Sequence, residues 1–478
     1  MLADTTAMTR PGRVHVRNLF LRLLGVVFVL AFWSLGRQVL LLYGTHGLSP
    51  ACPIAAQVPV TLFRFACSDA LLWWGTVAGA ALGAGLAAGL APRWLLLAAW
   101  LLYLSYVGIG QEFLSFQWDN LLLESSFFAL FVTPSGWRLR DAPPPHPLGV
   151  FLMQWLLFRL YVESGLAKLL LGDPTWRDLS AMASYYETAP LPTWVGWYAH
   201  QAPMWAHRAT STATLAVELV VPFLIWGPRV LRPVAFVLMV AFQLVVLATG
   251  NYGFFNYLSL ALCLWMLDDG HLAWLAGRVG RTLRPVPERR PSAVRTAALG
   301  GATAVLVVLT VVPFLPFVPG SRPLGRMLLP ARALLEDIRS INAYHLFAQM
   351  TLVRREPIIE GSDDGVTWLP YELHYEPGDV DRAPPFVAPH QPRVDFQMWF
   401  LLLGGRILAP WFRTLLDRLQ HDPAAVAPLF ARDPFPTSPP RWLRVAVYRY
   451  RFSDPATRAS TGAWWTRELE GTTRPIGK

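Results

Sequence analysis

The sequence predicts an α-helical polytopic membrane domain of about nine hydrophobic segments, followed by a β-rich soluble C-terminal domain with inserted helices. Three observations carry this. The 478-residue chain is 54% hydrophobic and only 15% charged, against about 25% charged residues in soluble domains. Apolar windows of about 20 residues, the length that crosses a bilayer core of about 30 Å, recur through the first two thirds of the chain and stop near Pro319. Beyond that point the pattern switches to the alternation expected of strands.

The hydrophobic segments lie near 19–42, 70–91, 94–109, 119–133, 148–170, 210–226, 231–249, 253–267 and 296–318. The third and fourth are short enough for one of them to be re-entrant. GAALGAGLAAGLA (79–91) is glycine-rich, but its small residues recur three to four apart inside a span, which suits close helix packing and not phosphate binding. No cleavage pattern precedes the first segment, and its flank of Arg10, Arg13, Arg17 and Arg22 reads as a signal anchor.

The formal charge of +10 is not a nucleic-acid signature, because the arginines alternate between loops as the positive-inside rule demands. Arg93, Arg138, Arg140, Arg229, Arg232 and the run Arg278, Arg281, Arg284, Arg289, Arg290 and Arg295 fall with the N-terminal cluster. The alternate loops carry few, chiefly Arg64, Arg177 and Arg208. With nine spans this predicts a cytoplasmic N-terminus, residues 1–318 in the membrane and residues 319–478 outside the cytoplasm. Cys52 and Cys67 share the first outward loop, where a disulfide can persist, while Cys263 lies in a span. Sequence leaves open whether the first two pair. No zinc or redox motif is present, and no metal or cofactor is expected.

In the C-terminal part, LFAQMTLVRREPIIE and VTWLPYELHY flank the turn GSDDG and read as two strands. LRVAVYRYRF (443–452) alternates, with Ala446, Tyr448, Tyr450 and Phe452 on one face. VDFQMWFLLLGG and APWFRTLLDRLQ read as helices. A sheet or sandwich with an inserted helical hairpin is expected.

Chemistry is concentrated in polar residues placed inside apolar segments. At 100° per residue Gln117, Asn120 and Glu124 form one stripe, and Asp119 points about 140° away from Glu124. In the fifth segment Arg159 and Glu163, four apart, share a face. Lys168 stands out because only it and Lys478 are lysines among 41 basic residues. A compact amine inside a span serves as a titrating base or an ion-pair partner for Glu124 or Asp119, or it snorkels to the interface. Ionised groups in lipid cost several kcal/mol unless paired, so these residues form one internal polar network. The outward loop 171–209 adds Asp173, Trp176, Arg177, Tyr186, Glu187, His200 and His207, and the next outward turn adds Asn251 and Asn256.

At FLSFQWDNLLLES, GDPTWRDLSAMASYYETAPLPTWVGWYAHQAPMWAHR, VELVVPFLIWGPR, TGNYGFFNYLSLALCLWMLDD, EGSDDGVTWLPYELHYEPGD, PRVDFQMWFLLL, PFPTSPPRWLRVAVYRYRFSD and WWTRELEG the chain resembles the lipase maturation factor family. The resemblance implies a multi-pass membrane protein that helps secreted lipase-type clients fold and assemble, with the C-terminal domain toward the client. Trp368, Asp395, Trp399 and Trp411 are then candidate client contacts, membrane lipid and the client are the partners, and no nucleic acid is involved. Animal members work in the endoplasmic reticulum membrane, whereas this arginine- and alanine-rich composition points to a GC-rich bacterial genome and a bacterial cytoplasmic membrane. More distantly, YVESGLAKLL resembles the lysine-bearing helix of vitamin K-dependent gamma-carboxylases. That likeness implies an alternative: a membrane-embedded enzyme for a lipid or quinone-like substrate, with Lys168 as base and Glu124 and Asp119 lining its pocket.

Overall fold

The computed structural model describes residues 12–283 and 292–477, apart from 322, 325, 328–329, 331–335 and 404–408. Arg10, Arg284, Arg289, Arg290 and Lys478 lie outside the described residues.

Among the described residues, seven helices have the length and apolar character to cross a membrane: α1 Val14–Gly36, α2 Asp69–Ala88, α3 Pro92–Ile109, α5 Pro147–Leu170, α6 Met204–Ile225, α7 Arg229–Thr249 and α9 Ala293–Phe317. Two of the nine expected segments form shorter helices, α4 Gln117–Ala129 and α8 Phe255–Met266. Both still return the chain from one end of the bundle to the other. A bridge between Leu90 and Arg138 brings the chain after α4 back to the α2–α3 turn. An ion pair between Arg229 and Asp268 (2.8 Å) does the same after α8. Thirteen residues span about 20 Å at 1.5 Å each, too little for a lipid-facing helix. Because α4 and α8 are enclosed by other helices, their irregular ends meet protein and not hydrocarbon.

The close approach of α1 and α2 rests on absent side chains. A Cβ on Gly83 would stand 2.8 Å from the Gly25 carbonyl oxygen, and one on Gly79 would stand 2.5 Å from the Phe32 ring. Arginines close one end of the bundle by capping carbonyls: Arg13 donates to Trp265 O (2.7 Å), Arg17 to Pro143 O (2.6 Å), Arg22 to Ala87 O (2.7 Å) and Arg93 to Thr133 O (2.7 Å). At the same end the Asp269 carboxylate accepts from the first-turn amides of Val14, His15 and Val16 (2.7, 2.9 and 3.1 Å), where the helix dipole favours an anion.

The C-terminal part packs on the opposite end. Its core is one antiparallel sheet of β1 Arg354–Ser362, β2 Leu369–Pro370, β3 Trp442–Phe452, β4 Trp465–Thr472 and β5 Ile476–Gly477, in the order β2-β1-β3-β4, with β5 also beside β3. These five strands form one sheet and not a sandwich: helix α10 Arg393–Leu403 lies against β1, and Trp197 packs against Tyr450, Phe452 and Trp465 at the other end of the strand order. A second helix, α11 Pro410–His421, follows α10, and a small sheet pairs Glu372–Leu373 with Phe430–Arg432. The first strand is shorter than the sequence suggests: residues 346–353 are irregular, because they follow the bundle surface instead of joining the sheet. In the GSDDG turn the Asp364 carboxylate accepts from the amides of Val366 (2.8 Å) and Thr367 (2.7 Å), which holds its pKa well below the usual carboxylate range.

Candidate functional site

Asp119 and Glu124 both lie on α4 and point in different directions, each to its own cation. Asp119 is fully buried and accepts two hydrogen bonds from Arg393 of α10 (2.6 and 2.8 Å) and one from the Tyr103 hydroxyl (2.6 Å). Arg393 also donates to Phe113 O (2.9 Å), and its backbone amide donates to Gln38 on the loop after α1 (2.9 Å). A bidentate guanidinium with a third acceptor is the arrangement that makes a buried ion pair bearable.

Glu124 meets Arg159 of α5 (2.6 Å), whose Nε donates to Glu163 (2.8 Å). The segment from Ser340 to Met350 completes this cluster. The second Glu124 oxygen accepts from the Asn342 side chain (2.9 Å), the Asn342 amide (3.1 Å) and the Tyr344 hydroxyl (2.8 Å). Glu163 accepts from the Tyr344 amide (3.0 Å), and Arg159 also donates to Asn342 O. Gln117 accepts from the His345 amide (3.2 Å), and the Asn120 carbonyl faces the Asn342 amide group (3.5 Å). The polar stripe of α4 is therefore a docking strip for an irregular strap.

Lys168 pairs with neither carboxylate of α4. It is buried at the end of α5 and contacts Glu218 of α6 (2.9 Å), Leu346 O of the strap (2.8 Å) and Ser164 O (3.4 Å), with its ammonium 5.1 Å from the Trp176 ring centroid. An acidic partner held on the neighbouring helix keeps Lys168 in the interior instead of letting it snorkel. Lys168 and Glu218 border a mainly apolar cavity of about 300 Å³ that Glu124 and Asp119 do not line. The three-residue arrangement required by the enzyme alternative is not assembled.

The loop 171–209 and the turn at Asn251 divide between two roles. Asp173 accepts from the Met350 amide (2.7 Å), Trp176 donates to Phe347 O (2.9 Å), Glu187 accepts from the Phe452 amide (2.7 Å), and Asn251 donates to Pro385 O (2.9 Å) while accepting from Val387 (2.7 Å). These residues bind the C-terminal part to the bundle. Arg177 is exposed. Asn256 does not line the turn with Asn251: it is buried in α8 and donates to Gln243 (2.9 Å). His200 and His207 have ring centroids 6.5 Å apart, with Tyr186 beside His207. Among the described residues no third ligand gathers with the two histidines. His200 lies 3.6 Å from Glu187, yet burial and then His207 push its imidazole down to about 4, so this contact is not an ion pair at neutral pH. Cys52 and Cys67 are joined by a disulfide.

The proposed client contacts need correction. Trp399 and Trp411 are buried, Trp411 against Phe113 of the bundle (5.3 Å), because α11 is amphipathic and turns its apolar face inward. Asp395 is also buried, accepting from the Tyr375 amide (2.8 Å). Trp368 is half-buried under the Arg444 guanidinium, 4.2 Å from the ring centroid. Sequence reasoning missed Arg393, Asn342, Tyr344 and Glu218. For Glu218 the signal was available, as a lone carboxylate inside the apolar run of α6.

A further charge cluster joins the parts. Arg354 is buried and donates to the carbonyls of Glu187 (3.0 Å), Ala189 (2.5 Å) and Pro190 (2.9 Å), and it lies 2.5 Å from Glu356. Burial raises the pKa of Glu356, and burial together with the neighbouring Glu356 charge raises that of Glu376 well above the usual range.

The class this defines is a polytopic helical membrane protein with a β-rich C-terminal part locked to one end of its bundle by buried ion pairs. The profile of the Lipase maturation factor transmembrane domain matches residues 15–274, and that of the Lipase maturation factor C-terminal domain matches residues 340–475. The chain belongs to the lipase maturation factor family. It is 32% identical to lipase maturation factor 2 of Mus musculus and 33% identical to that of Homo sapiens, covering 95% of this chain and 81% of each relative. It is 32% identical to lipase maturation factor 1 of Bos taurus, over 97% of this chain and 90% of that protein. No solved structure matches.

Proposed function

We propose that the chain assists the folding and assembly of a secreted, lipase-type client on the extracytoplasmic side of a bacterial cytoplasmic membrane, as a membrane-anchored chaperone. The observation that carries this reading is the family match along nearly the whole chain, through the bundle and the sheet alike. In this reading residues 1–318 anchor and residues 319–478 face the client. The arginine-capped end of the bundle faces the cytoplasm, as the positive-inside rule favours. With Trp399 and Trp411 buried, the client surface is assigned to the exposed apolar group Val366, Leu369, Trp442 and Ile476. Strand pairing gathers these at one end of the sheet: Leu369 sits opposite Gly361, Trp442 opposite Ser362 and Gly477, and Ile476 opposite Leu443.

The test is coexpression of the full chain with a secreted lipase in cells lacking their own maturation factor. Active lipase per unit of secreted antigen rises with the wild-type chain. It falls back with Val366→Asp combined with Trp442→Asp, while chain abundance stays constant. If lipase specific activity is the same with and without the chain, the reading is wrong.

A further inference from the structure

We propose that the outer edge of β4 accepts an extended polypeptide segment of alternating basic and apolar residues as a further strand of the sheet. That the segment comes from a client not yet folded rests on the maturation reading; the strand-accepting edge itself does not.

The edge is open. β4 ends the strand order, paired with β3 on one side only, and every residue of it after Trp465 is exposed. Which backbone groups are free follows from two contacts at the end of the pair. The Phe452 amide donates to Glu187 (2.7 Å), away from β4, and the amide of Trp465 opposite it donates to Val380 O (3.1 Å), away from β3. Alternation along the pair then turns the amides and carbonyls of Arg467 and Leu469 outward, while those of Thr466 and Glu468 face β3. A row of free donors and acceptors at strand spacing is matched by another extended backbone.

The side chains select the partner. Two copies of β4 paired about a twofold axis at Arg467 set Arg467 against itself; an axis at Glu468 sets Glu468 against itself, and one at Leu469 sets Glu468 against Glu470 twice. Like charges directly opposite destabilise a pair, so the edge disfavours a second copy. On one face of β4, Glu468 makes no ion pair among the described residues, and a basic residue added opposite it supplies one. On the other face Leu469, 49% exposed, and the half-buried Tyr448 opposite it on β3 offer an apolar contact. Successive side chains of a strand reach opposite faces, so alternating basic and apolar residues answer both. Past Thr472 the edge leads to Ile476 and Trp442, the exposed apolar residues assigned to the client.

The test measures binding of short, capped, fluorescent peptides to the full chain in nanodiscs by anisotropy, with hydrogen exchange followed over residues 465–472. A peptide alternating valine with lysine binds and slows exchange in β4. It binds about threefold to tenfold more tightly than its valine–glutamate counterpart, although the chain's formal charge of +10 by itself favours the acidic peptide. Glu468→Lys inverts that preference. Leu469→Pro removes an outward amide without touching the ladder to β3 and weakens binding by about tenfold. Should that variant fail to fold, Glu468→Lys, a change at an exposed side chain, carries the test alone. N-methylating the peptide throughout keeps its side chains, removes its donors and abolishes binding. Equal binding of the N-methylated peptide, or a preference that Glu468→Lys leaves unmoved, overturns the proposal. So does a dimer of the chain that Leu469→Pro separates, which gives the edge to a second copy. None of these results bears on whether lipase activity rises with the chain, so the proposal and the maturation reading fail separately.

Discussion

Removing Arg393 tests whether the C-terminal part holds the bundle's charges in balance. In Arg393→Met the Asp119 carboxylate, fully buried, loses two charge-assisted hydrogen bonds of 2.6 and 2.8 Å and keeps only the Tyr103 hydroxyl at 2.6 Å. Stranding one partner of a buried pair costs about 3–5 kcal/mol, or roughly 10² to 10³·⁵ in the folded-to-unfolded ratio. Replacing both charges by apolar groups removes the stranded carboxylate, so Arg393→Met with Asp119→Leu is expected within about 1 kcal/mol of wild type. Asp119→Leu alone strands the buried guanidinium at a similar cost, so the coupling, the two single-variant costs less that of the double, is about 5–9 kcal/mol, far above the roughly 0.3–0.5 kcal/mol seen for independent sites. The assay is a double-mutant cycle on the full chain in micelles, following tryptophan fluorescence through a denaturant titration. A single-variant cost below about 1 kcal/mol, or a double variant that shows the sum of the two singles, refutes the reasoning.

Three further outcomes follow. Burial pushes the Asp395 carboxyl up to about 6 despite the Tyr375 amide, so the fold holds a proton that the unfolded chain has released, and this group's contribution to stability is lost as pH rises from about 4 through 6. Asp395→Asn, which keeps an acceptor for Tyr375, gains up to about 3 kcal/mol over wild type at pH 7 and matches it at pH 4, read by thermal shift across pH. Exchanging Cys52 and Cys67 together for serine opens a loop with a sequence separation of 15, and a loss of about 3 kcal/mol is expected in the same denaturant titration run without reductant. Lys168→Arg puts a bulkier planar cation among Glu218, Leu346 and Trp176 and lowers stability by about 1–3 kcal/mol, measured by thermal shift, even though charge is conserved.

The hydrophobic segments were legible because a bilayer demands unbroken apolar runs of about 20 residues, and the strand at 443–452 because half-burial imposes a twofold alternation. The angular separation of Asp119 from Glu124 also held in space, since it depends only on helix geometry. What sequence could not supply was the partner of each carboxylate. Arg159 lies four residues before Glu163 and declares itself, whereas Arg393 is 274 positions from Asp119 and Asn342 is 218 from Glu124. Nothing local links such positions. Residues 346–353 misled for a related reason: an apolar run that packs on a foreign surface has the composition of a strand without its pairing. Trp399 and Trp411 misled because aromatic residues serve equally for a free contact surface and for a seam between two parts of one chain.

That seam changes what a truncation experiment means. Cutting the chain near residue 318 looks like a clean way to separate the helical bundle from the β-rich part, but it takes Arg393 from Asp119, and Asn342 and Tyr344 from Glu124. It also removes Leu346 O, one of three acceptors around the Lys168 ammonium. The bundle would then carry one buried carboxylate with no cation and two clusters with unmet hydrogen bonds, a penalty comparable to the 5–15 kcal/mol that stabilises a typical domain. Loss of client secretion on truncation therefore reports the collapse of the bundle as readily as the loss of a contact surface. Point changes at exposed residues such as Val366 and Trp442, which touch none of these clusters, separate the two effects.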